Sequence, residues 1–345
     1  MTLTGRAKSL VLRAYLRYLA WSGRTVVLGP WRSELGFEAL YWIPFLHWAV
    51  KYAHLPLDRC LAISRGGMGK FYPAGAEVDL YTLRTVDDVR LQNGVDAERT
   101  KKLKQERRTP WDDAVVREAV ERIHGADARY HVLHPSWMYW LFAGVWEERD
   151  TLRLVMAHTR FEGLPVPNLP DGFELPPRFV AVRFYERHTF PLGDQTRALA
   201  VALVQALASR LPVVLLNQSL FADDHVDLPI AGANIFTLPT LPPAQNFILQ
   251  AAVLARCAAF VGTYGGIAQW ALRYQKPSIS FYTHFNGTAR CHRTLSEMLS
   301  QACGQPFECS NLAAIKLWEM CLLRVVSDTP VLTAPAEPER EPVSA

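Results

Sequence analysis

The stretch AAFVGTYGGIAQWALRYQKPSISFYT (residues 258–283) contains two short apolar runs separated by a glycine turn and a helical pattern. The runs 258–263 and 277–283 have the length and composition of buried strands, and residues 266–274 fit a helix between them. Because strands that alternate with helices form parallel sheets covered by helices, the stretch predicts an α/β protein.

The same alternation extends over most of the chain. The predicted strands are 24–29, 58–64, 76–83, 129–134, 178–185, 211–217, 233–238, 258–263 and 277–283. The predicted helices are 34–52 with a break at Pro44, 85–123 with a break at Pro110, 135–148, 193–210, 243–257, 266–274 and 311–327. The pattern predicts two Rossmann-like domains facing a cleft.

The boundary between the two domains is predicted from proline content. Residues 161–178 hold five prolines and show no periodicity. We therefore predict an N-terminal domain (1–165), a Pro-rich linker (166–177), a C-terminal domain (178–328) and a disordered tail (329–345). Since ligands of parallel sheets bind at the carboxyl ends of the strands, the residues that follow each strand are the candidates for a site.

The bulk composition excludes some classes of function. The chain has 345 residues, half of them hydrophobic, and a net charge of +4, which is too small to indicate a nucleic-acid partner. Its six cysteines form no CxxC pair and no secretory signal precedes them, which is typical of reduced thiols in a cytoplasmic protein. Charges interrupt every apolar run before the length of a transmembrane helix.

The N-terminal segment has a basic amphipathic pattern. Residues 5–21 place Leu12, Leu16 and Leu19 at helical intervals between arginines and a lysine. Such a helix either lies on the inner face of an anionic membrane or packs on its own domain, and the sequence leaves both interpretations open.

The C-terminal domain carries candidate phosphate ligands at its strand ends. Thr263, Tyr264, Gly265 and Gly266 form a turn whose backbone N–H groups and helix dipole would favour a phosphate, although strands and helices are also commonly joined by plain glycine turns. Arg183 lies in an apolar strand, where a buried guanidinium requires an anionic partner.

Other polar residues follow the strands of this domain. Asp223, Asp224 and His225 are better interpreted as a solvated loop than as metal ligands, so no metal site is predicted. The further candidates for donor binding are Glu186, Asn217, Gln245 and Asn246.

The N-terminal domain has its own candidates. Arg32, Ser33 and Arg65 follow the first two strands and are the predicted acceptor-binding residues. The loop ISRGGMGKFY (63–72) matches neither the P-loop nor the dinucleotide-binding pattern. His134 ends the fourth strand, where a structural role is the alternative to a catalytic one.

Several segments together resemble GT-B glycosyltransferases, in particular the bacterial enzymes that build surface polysaccharides. In the C-terminal half these are QNFILQAAVLARC (245–257) and FVGTYGGIAQWALRYQKPSISFY (260–282). In the N-terminal half they are GPWRSELGFEALYWIPFL (29–46), ISRGGMGKFY and LHPSWMYWLF (133–142). The resemblance implies a nucleotide-sugar donor on the glycine turn, a glycan or lipid-linked acceptor on the N-terminal domain, no metal and no cofactor.

One departure from the family bears on mechanism. Many retaining members carry a Glu-x7-Glu motif, whereas residues 243–270 contain no Glu, so we expect an inverting reaction. The base would then be Glu34, Glu38 or His134 on the N-terminal domain. A first-turn structural role is the alternative for Glu34, with Ser33 as a possible helix cap. A nucleotide-sugar epimerase and a non-catalytic nucleotide- or carbohydrate-binding protein are the competing functions.

Overall fold

The computed structural model describes residues 2–100, 105–186, 190–191, 193–216, 225–283 and 287–312. Within them lie a four-stranded sheet, a six-stranded sheet and a two-stranded ribbon. All pairings in the two large sheets are parallel, and only the ribbon is antiparallel.

The described strands match the predicted ones closely. They are β1 (Thr25–Leu28), β2 (Cys60–Ser64), β3 (Ala76–Asp79), β4 (Tyr130–Leu133), β5 (Val180–Arg183), β6 (Tyr185–Glu186), β7 (Val213–Leu215), β8 (Val226–Asp227), β9 (Ile235–Thr237), β10 (Ala259–Thr263), β11 (Ser278–Tyr282) and β12 (Phe307–Asn311). The order is β3-β2-β1-β4 in the four-stranded sheet and β12-β11-β10-β5-β7-β9 in the six-stranded one, and β6 pairs with β8 in the ribbon. The prediction missed the short ribbon and β12.

Helices connect the strands of both sheets. They are α1 (Leu3–Trp21), α2 (Leu35–Phe37), α3 (Ile43–Ala53), α4 (Val86–Thr100), α5 (Pro110–His124), α6 (Ser136–Trp146), α7 (Leu152–Met156), α8 (Asp194–Ala208), α9 (Pro243–Arg256), α10 (Gly266–Arg273) and α11 (Gly287–Cys303). The prediction missed α7 and α11, and its helix at 311–327 falls almost wholly outside the described residues.

Alternate residues of the first sheet enter different cores. Val26 and Leu28 of β1 belong to a large apolar cluster, while Val27 between them packs into a smaller one with Leu61 and Val116. This follows from the two-residue period of a strand, since successive side chains point to opposite faces. Both faces of the sheet are therefore covered, as expected for a parallel sheet.

The second sheet is also buried on both faces. Val182 of β5 packs with Leu203 of α8 in one cluster, whereas Ala181 joins the large cluster together with residues of α9 and α10. That large cluster contains residues of both halves, so the apolar core continues from one half into the other.

The carboxyl ends of the two large sheets face each other. The segments that follow β1 and β2 contact the starts of α10 and α9, which follow β10 and β9. The predicted class, α/β with two Rossmann-like sheets facing each other in the GT-B manner, is confirmed.

Two segments cross between the halves. The Pro-rich segment lies against the second half, where Tyr274 donates a hydrogen bond to the carbonyl of Pro165 (3.2 Å). Helix α11 returns to the first half, where a hydrogen bond of 2.8 Å joins His292 Nδ1 to the Tyr41 hydroxyl. The proposed linker bounds remain a prediction.

The irregular helical turn that was expected at Pro44 lies just before this residue. Pro44 is the second residue of α3, which continues without a gap from the turn before it. The irregular turn lies before it, as a π-helical segment over Glu38–Trp42 that joins α2 to α3. A π segment widens the helix by one residue per turn, and such segments are frequent at functional sites.

Gly262 in β10 gives a test of the close packing between β10 and β5. A Cβ at this position would overlap the carbonyl oxygen of Arg183, whereas a Cβ at Gly94 in α4 would meet nothing within 4 Å. We expect Gly262→Ala to lower the free energy of unfolding by about 1–3 kcal/mol, the usual cost of overpacking. Gly94→Ala is the control and should be neutral or stabilising, as in other helix interiors. Urea denaturation measures both, and equal stability of the two variants would contradict the packing described.

Candidate functional site

The two halves touch where α2 meets the start of α10. A Cβ on Gly266 would lie 2.7 Å from the backbone nitrogen of Gly36, and a Cβ on Gly36 would lie 3.3 Å from Gly266 Cα. The indole N–H of Trp270 donates to the carbonyl of Leu35 (3.2 Å). Only glycine allows the two backbones to come this close. The contact brings the predicted phosphate-binding turn against the segment that holds Glu34.

Glu34 occupies the position before α2, and the residue is partly buried. Its side chain makes no capping hydrogen bond to α2. Ser33, the predicted cap, instead accepts a hydrogen bond from the Tyr139 hydroxyl. Offsetting the helix dipole requires no hydrogen bond, so this structural role of Glu34 stays an alternative to the catalytic one. Of the three predicted catalytic residues, Glu34 is the one that is not buried, and it directly precedes the helix that contacts the glycine turn.

Glu38 differs from Glu34 in burial. Its side chain is fully buried, and its Oε1 accepts a hydrogen bond of 2.6 Å from the Tyr72 hydroxyl. Burial together with the Glu38 charge raises the pKa of Tyr72, so the phenol stays protonated and donates. An acceptor has no exposed path to Glu38 in this conformation.

Ser33 and Arg65 form a buried link between the first two strand ends. Arg65 donates to the carbonyl of Ser33 (2.5 Å), and the Tyr139 hydroxyl donates to Ser33 Oγ (2.9 Å). Both residues are nearly inaccessible to solvent. They hold the segment in front of α2 in place, and their predicted contact with an acceptor remains a prediction.

Arg32 lies in a buried charged network instead of at the cleft. Its guanidinium contacts Asp96, donates to Asp112 (3.1 Å) and donates to Asn93 (2.7 Å). The side chain is fully buried, so it presents no surface to an acceptor. The prediction placed Arg32 at the cleft because it follows β1, and the structure shows that it turns inward toward α4 and α5 instead.

His134 belongs to the same network. Its Nδ1 accepts from the backbone N–H of Ser136 (3.1 Å), and its Nε2 lies 3.6 Å from Asp112 Oδ2. Burial lowers the pKa of His134, so the imidazole is neutral at neutral pH. Burial alone would raise the pKa of Asp112, but His134 and Arg32 outweigh it and hold that pKa below its ordinary value. The geometry favours the structural alternative for His134.

The predicted turn in the second half is well fixed. The Thr263 hydroxyl donates to the carbonyl of Tyr185 (3.2 Å) and accepts from its N–H (3.1 Å). Tyr264 is buried in a small cluster with Cys309. Gly266 is the part of the turn that contacts the other half. The hydroxyl of Thr263 fixes the turn, and only backbone groups are left to meet a phosphate.

Arg183 has its anionic partner inside the chain. It donates to Asp227 on β8 (2.9 Å) and lies over the Tyr185 ring. Asp227 supplies the anion that a buried arginine requires, so Arg183 needs no ligand for this purpose. Glu186 is exposed on the ribbon, and the predicted Asn217 lies outside the described residues, as do Asp223 and Asp224.

A cavity of about 300 Å³ lies between the halves, beside the edge strand β3. Gly66 and Gly67 (φ 68° and 84°) close it by packing on the start of α9, where a Cβ on Gly67 would lie 2.8 Å from Ile248 Cβ. Its polar lining residues are Ser64, Lys70, Glu77, Asp79, Thr82, Arg122 and Gln245. Of the two predicted residues on α9, Gln245 therefore lines the cavity, while Asn246 accepts a hydrogen bond from Gln250 (2.8 Å).

Two carboxylates of this cavity were missed by the sequence analysis. Glu77 and Asp79 share one face of β3, and Asp79 accepts hydrogen bonds from the N–H groups of Gly67 (2.7 Å) and Tyr81 (2.9 Å). Burial raises the pKa of Asp79 to about 7 and outweighs these two bonds. The signal in the sequence was two acidic residues spaced two apart at the end of a strand.

Comparisons with known proteins yield solved structures only. No family model matches the sequence, and no curated protein matches it. Escherichia coli heptosyltransferase WaaC with ADP is similar at 13% identity and a TM-score of 0.38, covering 81% of this chain and 99% of that one. A family 9 glycosyl transferase from Veillonella parvula has 12% identity and a TM-score of 0.43, covering 88% and 97%.

A structure of a different activity is similar to the same degree. A protein of Listeria monocytogenes described as a UDP-N-acetylglucosamine 2-epimerase has 10% identity and a TM-score of 0.37, covering 89% of each chain. Likeness at these levels carries no argument about activity. The fold assignment rests on the parallel strand order of the chain itself.

The buried network around Arg32 predicts a stability effect. Asp112→Asn removes one carboxylate partner from a fully buried guanidinium, and breaking a buried pair of this kind costs about 3–5 kcal/mol. Asp113→Asn is the matched control, because Asp113 is exposed and its pair with Arg108 is worth at most about 1 kcal/mol.

Urea denaturation at neutral and acidic pH measures the effect. Since folding lowers the pKa of Asp112, its contribution is present above the ordinary carboxyl pKa of about 4 and is lost as pH falls below it. The difference between wild type and Asp112→Asn should therefore shrink in acid. A variant as stable as Asp113→Asn at neutral pH would show that the pair is not stabilising.

Proposed function

We propose that this protein is a glycosyltransferase that moves a sugar from a nucleotide-sugar donor to a glycan or lipid-linked acceptor, without a metal and with inversion. One observation carries the proposal: the partly exposed Glu34 directly precedes α2, and α2 contacts Gly266 at the start of α10. A base and a phosphate-binding turn from different halves are the two parts that such a transfer requires.

The donor diphosphate would bind at the start of α10. Gly265 and Gly266 carry no side chains there, and the first N–H groups of the helix point out of its end. Their partial positive charge stabilises the negative charge that develops on the leaving nucleotide. Thr263 supports this turn through its two bonds to Tyr185.

Glu34 would act as the base. Its carboxylate takes the proton from an acceptor hydroxyl, whose oxygen forms a bond to the anomeric carbon of the sugar. The bond from that carbon to the phosphate oxygen breaks, and the nucleotide diphosphate leaves with the electron pair. Attack from the side opposite the leaving group inverts the anomeric configuration.

The cavity between the halves is our candidate for the acceptor sugar. Its volume of about 300 Å³ and its mixture of carboxylates, amide and cationic side chains suit a hydroxyl-rich ligand. Arg65 connects the cavity with the segment that holds Glu34. It donates to the carbonyl of Ser33, the neighbour of Glu34, and it follows Ser64, which lines the cavity.

Surface-polysaccharide synthesis is the process that the sequence resemblance favours. We include it in the proposal together with the nucleotide-sugar donor. ADP, which is named with the WaaC structure, is one of the nucleotides to be tested first.

The deciding experiment incubates the purified protein with a panel of nucleotide sugars, each with and without mono-, oligosaccharide and lipid-linked acceptors. Mass spectrometry detects free nucleotide, altered sugar and glycosylated acceptor. Transfer predicts nucleotide release that depends on the acceptor, and a glycosylated product. Altered sugar without an acceptor would identify an epimerase. Binding without consumption of any donor would identify a binding protein.

Glu34→Gln tests the role of the base. We expect turnover to fall by at least about a hundredfold, the usual contribution of a general base, while the donor dissociation constant is unchanged. The matched control is Glu118→Gln, since Glu118 is half-exposed on α5 and pairs with Arg84 at the surface. Wild-type turnover in Glu34→Gln would remove Glu34 as the base. Loss of donor binding would indicate a role at the donor turn instead.

A further inference from the structure

Helix α1 is apolar on two opposite faces. Its inner face consists of Gly5, Ser9, Leu12, Leu16 and Leu19, all buried against the body of the domain. The leucines on which the membrane interpretation of the sequence rested are thus core residues, and they are not available to a bilayer.

The outer face carries a second apolar stripe. Leu3, Leu10 and Trp21 are 82%, 69% and 84% exposed. With Ala7, Ala14 and Tyr18, which are also exposed, they recur at intervals of three, four and seven residues along one side of the helix. At 1.5 Å per residue the helix is about 28 Å long. The exposed apolar residues form a stripe along this length, in contrast to the isolated apolar residues of an ordinary surface.

Basic side chains line one edge of the stripe. They are Arg6, Arg13 and Arg17, and α1 contains no acidic residue. Lys8 lies toward α6, where its ammonium donates to the carbonyl of Trp140 (2.7 Å). Arg13 and Arg17 lie over the Tyr52 ring at 4.7 and 5.7 Å from its centre. Long cationic side chains beside an apolar stripe are arranged to reach lipid phosphates while the stripe enters the acyl boundary.

A basic groove adjoins the end of the helix. Arg17, Trp21, Lys51, Tyr52 and His54 line it, together with two alanines. Two cations, a histidine and two aromatic rings suit a lipid headgroup phosphate, and exposed tryptophan and tyrosine favour the membrane–water interface. Asp150, which accepts a hydrogen bond from Thr2, lies at the other end of α1.

We propose that the outer face of α1 binds the surface of an anionic lipid bilayer, with the helix lying in the plane of the interface. Within the described residues no helix has the length and apolarity to cross a bilayer. A second copy of the chain fits this face less well. Packing α1 on α1 would bring rows of arginine together, and the helix offers no carboxylate to neutralise them.

Vesicle co-sedimentation of the full chain tests the proposal. The vesicles are phosphatidylcholine alone, or phosphatidylcholine mixed with phosphatidylglycerol. We expect binding to the anionic vesicles to be at least about tenfold stronger and to weaken with added salt, because each cation near the surface contributes about fivefold. Binding is measured without donor or acceptor, so the result is independent of the proposed transfer reaction.

Three variants separate the contributions. The double variant Leu10→Glu with Trp21→Glu should lose binding to both vesicles. The double variant Arg6→Gln with Arg17→Gln should lose mainly the preference for anionic lipid. Leu91→Glu is the matched control, since Leu91 is 71% exposed on α4, away from the stripe, and it should bind like wild type. Circular dichroism verifies that every variant is folded.

Two outcomes would overturn the proposal. One is equal binding of wild type and of the Leu10→Glu, Trp21→Glu variant to anionic vesicles. The other is a wild-type dimer in light scattering that this variant dissociates, together with no vesicle binding, which would identify the stripe as an interface between copies of the chain.

Discussion

The close approach of Gly36 and Gly266 is the constraint on which the site depends. At this point neither backbone has room for a Cβ, so the end of the first sheet and the end of the second lie within contact distance. The apolar core is continuous across the same interface. The geometry of a site built from both halves is therefore set by backbone contact and does not depend on flexible side chains. Groups on α2 and α10 are pre-positioned, which lowers the entropy cost of bringing reactants together.

The buried ionic groups show how strand-end residues divide into two kinds. Arg32 and Arg183 each end or follow a strand, and each has a carboxylate partner within the chain, at Asp112 and Asp227. These pairs hold loops and strands in place. The side chain of Glu34, which also follows a strand, makes no capping hydrogen bond to the helix that it precedes. Burial and partners thus distinguish structural charges from candidate functional ones.

Much of the fold was predictable from the sequence, because period-two apolar runs, prolines and glycines act locally. All nine predicted strands appear within a few residues of their expected bounds. The candidate site was less predictable, since the side on which Arg32 or His134 lies depends on partners from α4 and α5, which are distant in sequence. The inner and outer faces of α1 likewise could not be distinguished, because both are apolar. The cavity beside Asp79 requires α9, more than 160 residues away in the chain.

Helix α11 has a mechanical consequence. It lies on the first half through His292, which bonds to Tyr41, and through Cys291, which bonds to the carbonyl of Val145, although strands of the second half precede and follow it. Among the described residues, the Pro-rich segment and α11 are thus two segments by which one half extends onto the other. Moving the halves apart would therefore break the hydrogen bonds of α11 to the first half as well as the backbone contact between Gly36 and Gly266. Helix α11 thus adds to the resistance of the two halves against separation.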